Sequence, residues 1–196
     1  MIDHKHKFIF VHPNKCGGNS IEYFFQGDKK VDPVPGGREP WGHHTRLRGY
    51  QKGYPQEFKN YFKFGFSRNP FDRLVSVYHG RTQGKMIQID AELAEYSFKE
   101  CVKLGKIGTK HCKLLTEEWF TNENGDVAMD FIGKVEKFQQ DFDIICDKIG
   151  IPRQELPHKN KSRHKPYTEY YDDETREIVA KKYAKDIDYF GYRFGG

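Results

Sequence analysis

The chain has 196 residues, with 33 Lys and Arg against 28 Asp and Glu and a net charge of +5. That length closes one hydrophobic core and leaves little room for a second catalytic domain. So small a surplus argues against a dedicated nucleic-acid binder and fits local anion pockets. An aromatic content of 15% excludes a disordered chain, and no apolar run approaches the roughly 20 residues that cross a bilayer.

Met1-Ile-Asp-His-Lys-His-Lys7 lacks the apolar stretch of a signal peptide, so residues 1–6 read as a frayed start and the expected location is cytoplasmic. Lys7-Phe-Ile-Phe-Val-His12 is a short β-forming run, followed at once by Pro13 and a glycine pair, the pattern of a buried parallel strand. Asn19 is placed to cap a helix from Ser20, with Ile21, Phe24 and Phe25 on one face. Residues 28–43, rich in Pro and Gly, read as a long loop, either functional or mobile. Short helices are expected over Thr45–Tyr50 and Gln56–Tyr61, then a strand over Tyr61–Ser67. Asn69-Pro70 starts a helix carrying Phe71, Leu74, Val75 and Tyr78, with Pro at the first-turn position. Helices over Asp90–Leu104 and Lys110–Trp119 follow, then a strand over Asp130–Val135 and a helix to about Ile149. The tail Asp172–Tyr189 reads as one more helix, with Ile178, Val179, Tyr183 and Ile187 inward.

Strands alternating with helices give an α/β fold, one domain over 1–196 with a central parallel sheet flanked by helices. In such sheets ligands sit beyond the carboxyl ends of the strands, which directs attention to the segments after residues 12 and 67. The four cysteines, Cys16, Cys101, Cys112 and Cys146, have no C-x-x-C spacing, so zinc ribbons and thioredoxin motifs are excluded. Reduced thiols are expected, with Cys101 and Cys146 filling the core.

Lys15-Cys-Gly17-Gly18-Asn19-Ser20 runs from strand into helix. The glycines allow close backbone approach, the helix start offers N–H groups and a positive dipole end, and Lys15 and Ser20 add a charge and a hydroxyl. This describes a cradle for phosphate or sulfate. It is not a Walker A loop, because the lysine precedes the glycines, and Ser67-Arg68 supplies no aspartate for Mg²⁺, so a metal-dependent kinase is disfavoured. Arg68 ends the second strand and Ser76 lies eight residues on. The pair serves either an anion or structure, with Arg68 bridging to Asp72 and Ser76 packing.

These residues carry a resemblance. Lys15–Ser20 resembles the 5′-phosphosulfate loop of sulfotransferases that use 3′-phosphoadenosine 5′-phosphosulfate (PAPS), and Arg68-Asn-Pro-Phe-Asp-Arg-Leu-Val-Ser76 resembles their 3′-phosphate motif. Phe131-Ile-Gly-Lys-Val-Glu136 and Asp186–Tyr192 are similar to later landmarks of the branch with Golgi carbohydrate sulfotransferases and their bacterial relatives. The chain departs from the pattern at Asn14, where proline is usual, and at Cys16, where threonine is commoner.

The resemblance implies a P-loop-kinase-like sulfotransferase fold and sulfuryl transfer from PAPS to an acceptor hydroxyl, of a carbohydrate or small metabolite, without metal. It gives Lys15 the leaving phosphate, Gly17, Gly18, Asn19 and Ser20 the 5′-phosphate, and Arg68 and Ser76 the 3′-phosphate. It brings Lys161, Ser162 and Arg163 over the nucleotide, with Tyr167 either stacked on the base or packed. The general base is His44 or His43, in Trp41-Gly-His-His-Thr45, because imidazole titrates near neutrality. Glu22 and Glu39 are weaker carboxylate alternatives, and His12 reads as a hydrogen-bonded core residue. Lys29, Lys30, Arg38, Arg46 and Arg48 are placed to meet an anionic acceptor. The rival reading is a non-catalytic binder of PAPS, its desulfonated product PAP, or sulfated glycans.

Overall fold

A computed structural model describes residues 1–27, 44–83, 90–107, 112–157 and 164–196. In chain order its elements are β1 (Ile2–Asp3), β2 (Phe8–Val11), α1 (Gly18–Gln26), α2 (Leu47–Gly53), α3 (Pro55–Asn60), β3 (Phe62–Ser67), α4 (Pro70–Thr82), α5 (Ala91–Ala94), α6 (Phe98–Lys103), β4 (Phe131–Lys134), α7 (Phe138–Ile149), α8 (Asp173–Lys182) and α9 (Ala184–Phe190). A π-helical turn, Leu115–Trp119, precedes β4, and a 3-10 turn, Tyr167–Tyr170, precedes α8. Contacts divide the chain into two compact units, one of Met1–Ser67 with Leu115–Asn160 and one of Arg68–Leu114 with Lys161–Gly196.

The first unit holds a four-stranded sheet in the order β1-β2-β3-β4. β2, β3 and β4 are parallel, with Phe10 beside Phe64 and Phe64 beside Phe131. All four side chains of β2 are buried, as a parallel strand covered on both faces requires. Each such side chain contributes about 1.5–3 kcal/mol by leaving water. Ser67 Oγ donates to the Gly133 carbonyl at 3.1 Å and ties the end of β3 to β4.

Residues 1–6 read as a frayed start, yet Ile2 pairs with Ile9 and Asp3 with Phe8, adding an antiparallel edge strand. The turn closes because the Asp3 carboxylate accepts the His6 N–H at 2.7 Å and Lys7 takes a φ of 54°. α1 starts at Gly18 rather than Ser20, since Gly17 and not Asn19 takes the cap position. α2 starts at Leu47 rather than Thr45. Of the helix expected over 110–119, the described residues hold only the π-helical turn.

In the second unit, α4 starts where Asn69-Pro70 predicts. The Asn69 side chain accepts the Phe71 N–H at 3.2 Å as a cap and donates to the carbonyls of Arg193 at 2.8 Å and Gly196 at 3.2 Å. The core gathers Phe71, Leu74 and Val75 of α4, Phe98 and Cys101 of α6, and Val179 of α8. The helix expected over 90–104 is broken by a capping box, in which Ser97 Oγ accepts the Glu100 N–H and the Glu100 carboxylate accepts the Ser97 N–H. The tail helix breaks at Tyr183, a buried residue whose hydroxyl donates to the Cys112 carbonyl. All four cysteines are free thiols and buried. No described helix is long and apolar enough to cross a membrane.

Asn69 joins a helix cap to the C-terminal segment at a fully buried position. Asn69→Ala is expected to lower unfolding free energy by about 1–3 kcal/mol in urea denaturation; an unchanged midpoint contradicts this role.

Candidate active site

The chain leaves β2 through His12 and Pro13, both buried, and closes a turn with the Cys16 N–H donating to the Pro13 carbonyl at 3.3 Å. Lys15 has a φ of 65°, a left-handed conformation that is uncommon outside glycine and costs of order 1–3 kcal/mol. Gly17, with a φ of 76°, caps α1, and the Ser20 N–H donates to the Gly17 carbonyl at 3.0 Å. Strain of this kind persists where the surroundings over-determine it, and here it falls on the lysine to which the family resemblance gives the leaving phosphate.

Both glycines are demanded by their neighbours. A Cβ on Gly17 would stand 2.7 Å from Cζ of Phe138, and a Cβ on Gly18 would stand 1.9 Å from Cδ2 of His12. The backbone of the turn is therefore pressed onto two rings, with Gly18 and Asn19 in the first helical turn, where N–H groups have no intrahelical acceptor. No acidic side chain occupies that first turn, so its positive end suits an anion. Ser20 is buried and Asn19 exposed. Helix start, lysine and hydroxyl are the groups that a 5′-phosphate site calls for.

His44 lies in the same unit, at the end of β2. Its Nδ1 is 2.9 Å from the His12 carbonyl oxygen. A carbonyl has no proton to give, so Nδ1 carries the hydrogen; in the neutral ring that puts the lone pair on Nε2, the tautomer that a general base needs. The His44 ring meets His12 edge-on at 4.7 Å and Trp119, at the end of the π-helical turn, at 6.0 Å. The neighbouring Glu118 carboxylate accepts from Arg46 at 2.8 Å and from Arg48 at 3.2 Å. Those two arginines, expected to meet an acceptor, are held by that carboxylate.

His12 is a hydrogen-bonded core residue, as expected, but its partner is a finding of the structure. His12 Nδ1 lies 2.9 Å from Glu22 Oε1, with both residues buried. The two stand ten residues apart on different elements, and no local pattern signals the pair.

In the second unit, Arg68 donates from Nε to the Asp72 carboxylate at 2.8 Å, and Ser76 is buried in α4. The structural alternative for both residues is thus present. The Tyr167 hydroxyl accepts the Gly195 N–H at 2.7 Å and its ring packs edge-on against Phe194, the packing alternative for that residue. His43, Lys161, Ser162 and Arg163 lie outside the described residues, as do Lys29, Lys30, Arg38 and Glu39. Among the described residues no group of three or more His, Cys, Asp or Glu could hold a metal ion.

A mostly parallel sheet, with a glycine-shaped turn leading from β2 into α1 and a histidine beside it, defines an α/β protein. The chain matches the sulfotransferase family over residues 1–193 and belongs to it. Among curated proteins it is similar to carbohydrate sulfotransferase 14 of Danio rerio, 26% identical over 163 residues, covering 68% of this chain and 44% of the relative. The chain thus spans less than half the length of that relative. No solved structure matches it.

Gly18→Ala forces a methyl group into the His12 ring. It is expected to lower stability by roughly 1–3 kcal/mol in thermal or urea unfolding, and an unaltered melting temperature contradicts the packing described.

Proposed function

We propose that this chain transfers the sulfuryl group of PAPS to an acceptor hydroxyl by in-line displacement. The observation that carries the reading is the bond from His44 to the carbonyl of His12, three residues before Lys15. It sets this imidazole at the same end of β2 as the Lys15–Ser20 turn, which supports reading the two as base and anion cradle.

PAPS, when bound, supplies an activated sulfuryl group on a phosphate leaving group. Backbone N–H groups of Gly17, Gly18 and Asn19, with the Ser20 hydroxyl, hold the 5′-phosphate. Lys15 stabilises the charge that grows on the bridging oxygen, and His44 Nε2 takes the proton of the acceptor hydroxyl. A sulfuryl group carries less negative charge than a phosphoryl group, so ammonium and N–H donors can meet the demand. Arg68 and Ser76 are assigned the 3′-phosphate. Asp72 engages the guanidinium at Nε, one of the five N–H donors of an arginine. Lys161, Ser162 and Arg163 are assigned further nucleotide contacts. His43 is the alternative base, and a carbohydrate hydroxyl is the acceptor class that the relative's name supports.

A screen of acceptor hydroxyls with labelled PAPS tests the reading. Lys15→Ala is expected to lower kcat by about 10²–10³, and His44→Ala by about 10²–10⁴ with nucleotide binding retained. Binding of PAPS without transfer to any acceptor contradicts catalysis and leaves a binding module. Full activity of His44→Ala overturns the choice of base.

A further inference from the structure

Glu22 has no part in the mechanism above, yet its carboxylate is buried on α1, where an ionised group is costly unless it is paired. Its partner is the His12 ring at 2.9 Å. His12 is therefore gripped at two points. Glu22 holds the ring at Nδ1, and His44 donates its Nδ1 hydrogen to the His12 carbonyl at 2.9 Å while meeting the His12 ring edge-on at 4.7 Å. The Gly18 backbone presses on the same ring. One imidazole thus touches the anion cradle, the base and a buried carboxylate.

We infer that Glu22 is a positioning residue for the proposed base. It fixes the His12 ring and carbonyl on which His44 is seated, and its negative charge stabilises the imidazolium that His44 becomes. This rests on the reading of His44 as base. In the step concerned, the acceptor O–H proton passes to His44 Nε2 as the new O–S bond forms. The bond from sulfur to the bridging oxygen breaks, and its electron pair leaves with the 5′-phosphate. Positive charge then appears on His44, one ring away from Glu22. The arrangement follows the logic by which a buried carboxylate orients a catalytic histidine in hydrolases, with a second histidine interposed.

Other charged or titratable groups surround these residues. The carboxylate of Glu22 acts electrostatically on the amino group of Met1 and on the hydroxyl of Tyr50 in α2. Arg46, Arg48 and Glu118 form the ion-paired cluster beside Trp119, and Lys15 lies on the turn that follows His12. Among these, Glu22 is the acid that contacts the seat of His44 directly.

The test compares wild type, Glu22→Gln and His44→Ala in the pH profile of kcat/KM for sulfate transfer. Glutamine keeps a hydrogen-bond acceptor for His12 and removes the charge. The expected result for Glu22→Gln is a kcat lower by about tenfold or more, a KM for PAPS within about twofold of wild type, and an acidic limb moved to lower pH. The sign follows because loss of a nearby negative charge disfavours the imidazolium and lowers the pKa of the base. A wild-type kcat and an unmoved limb in Glu22→Gln, with His44→Ala inactive, overturns the inference and leaves the base standing. Full turnover in His44→Ala overturns the base itself. If Glu22→Gln does not fold, nitrogen NMR of the wild-type protein decides, with the His12 signal assigned through its contact with the His44 ring, whose own signal is lost in His44→Ala. Hydrogen on His12 Nδ1, donated to an ionised Glu22, supports the inference, and a His12 Nδ1 without hydrogen, accepting from a protonated Glu22, contradicts it.

Discussion

Everything at the end of β2 depends on backbone pressed against aromatic rings. Gly18 sits where any side chain would enter the His12 imidazole, and Gly17 sits where one would strike Phe138. Only glycine satisfies both contacts, and Gly17 must also take a positive φ. The consequence is a turn that runs straight into the start of α1, with Lys15 in a left-handed conformation beside it. The ring that limits Gly18 is the same ring that Glu22 holds and beside which His44 packs. Packing, the proposed anion site and the seat of the proposed base are one arrangement viewed from three sides.

That coupling bears on the chemistry proposed. Sulfuryl transfer asks for charge stabilisation at a bridging oxygen and for a base aimed at the incoming hydroxyl. Fixed groups provide these better than mobile ones, since nothing must reorganise as charge moves. The region around the proposed base is fixed in this sense. His44 is bonded to a main-chain carbonyl, packed on Trp119, and flanked by arginines that share the Glu118 carboxylate. The π-helical turn carrying Trp119 and Glu118 is a rare geometry, frequent at functional sites.

Much of this was legible in the sequence where local chemistry decides the outcome. The apolar runs of β2 and β3 and the Asn69-Pro70 helix start depend on burial and capping that neighbouring residues alone determine. The family followed from two short motifs, each placed at the end of a strand. Other features depend on partners far along the chain. β1 is two residues long and exists only because β2 offers an edge, so no periodicity could announce it. The α1 boundary misled because asparagine is a common cap, while the structure uses Gly17 in a conformation that asparagine's preference does not reveal. The break before α6 did carry a signal, Ser97-Phe-Lys-Glu100, which spells a capping box. The break at Tyr183 and the bond from His12 to Glu22 carried none, because they rest on contacts between segments tens of residues apart or on different elements.

The central claim is that the Lys15–Ser20 turn grips a 5′-phosphate. Isothermal titration of the protein with PAP and with 3′-AMP, which lacks the 5′-phosphate, tests it most directly. The account predicts saturable binding of PAP and much weaker binding of 3′-AMP, with the difference abolished by Lys15→Ala. Equal affinity for the two nucleotides, or no binding of PAP at millimolar concentration, would contradict it.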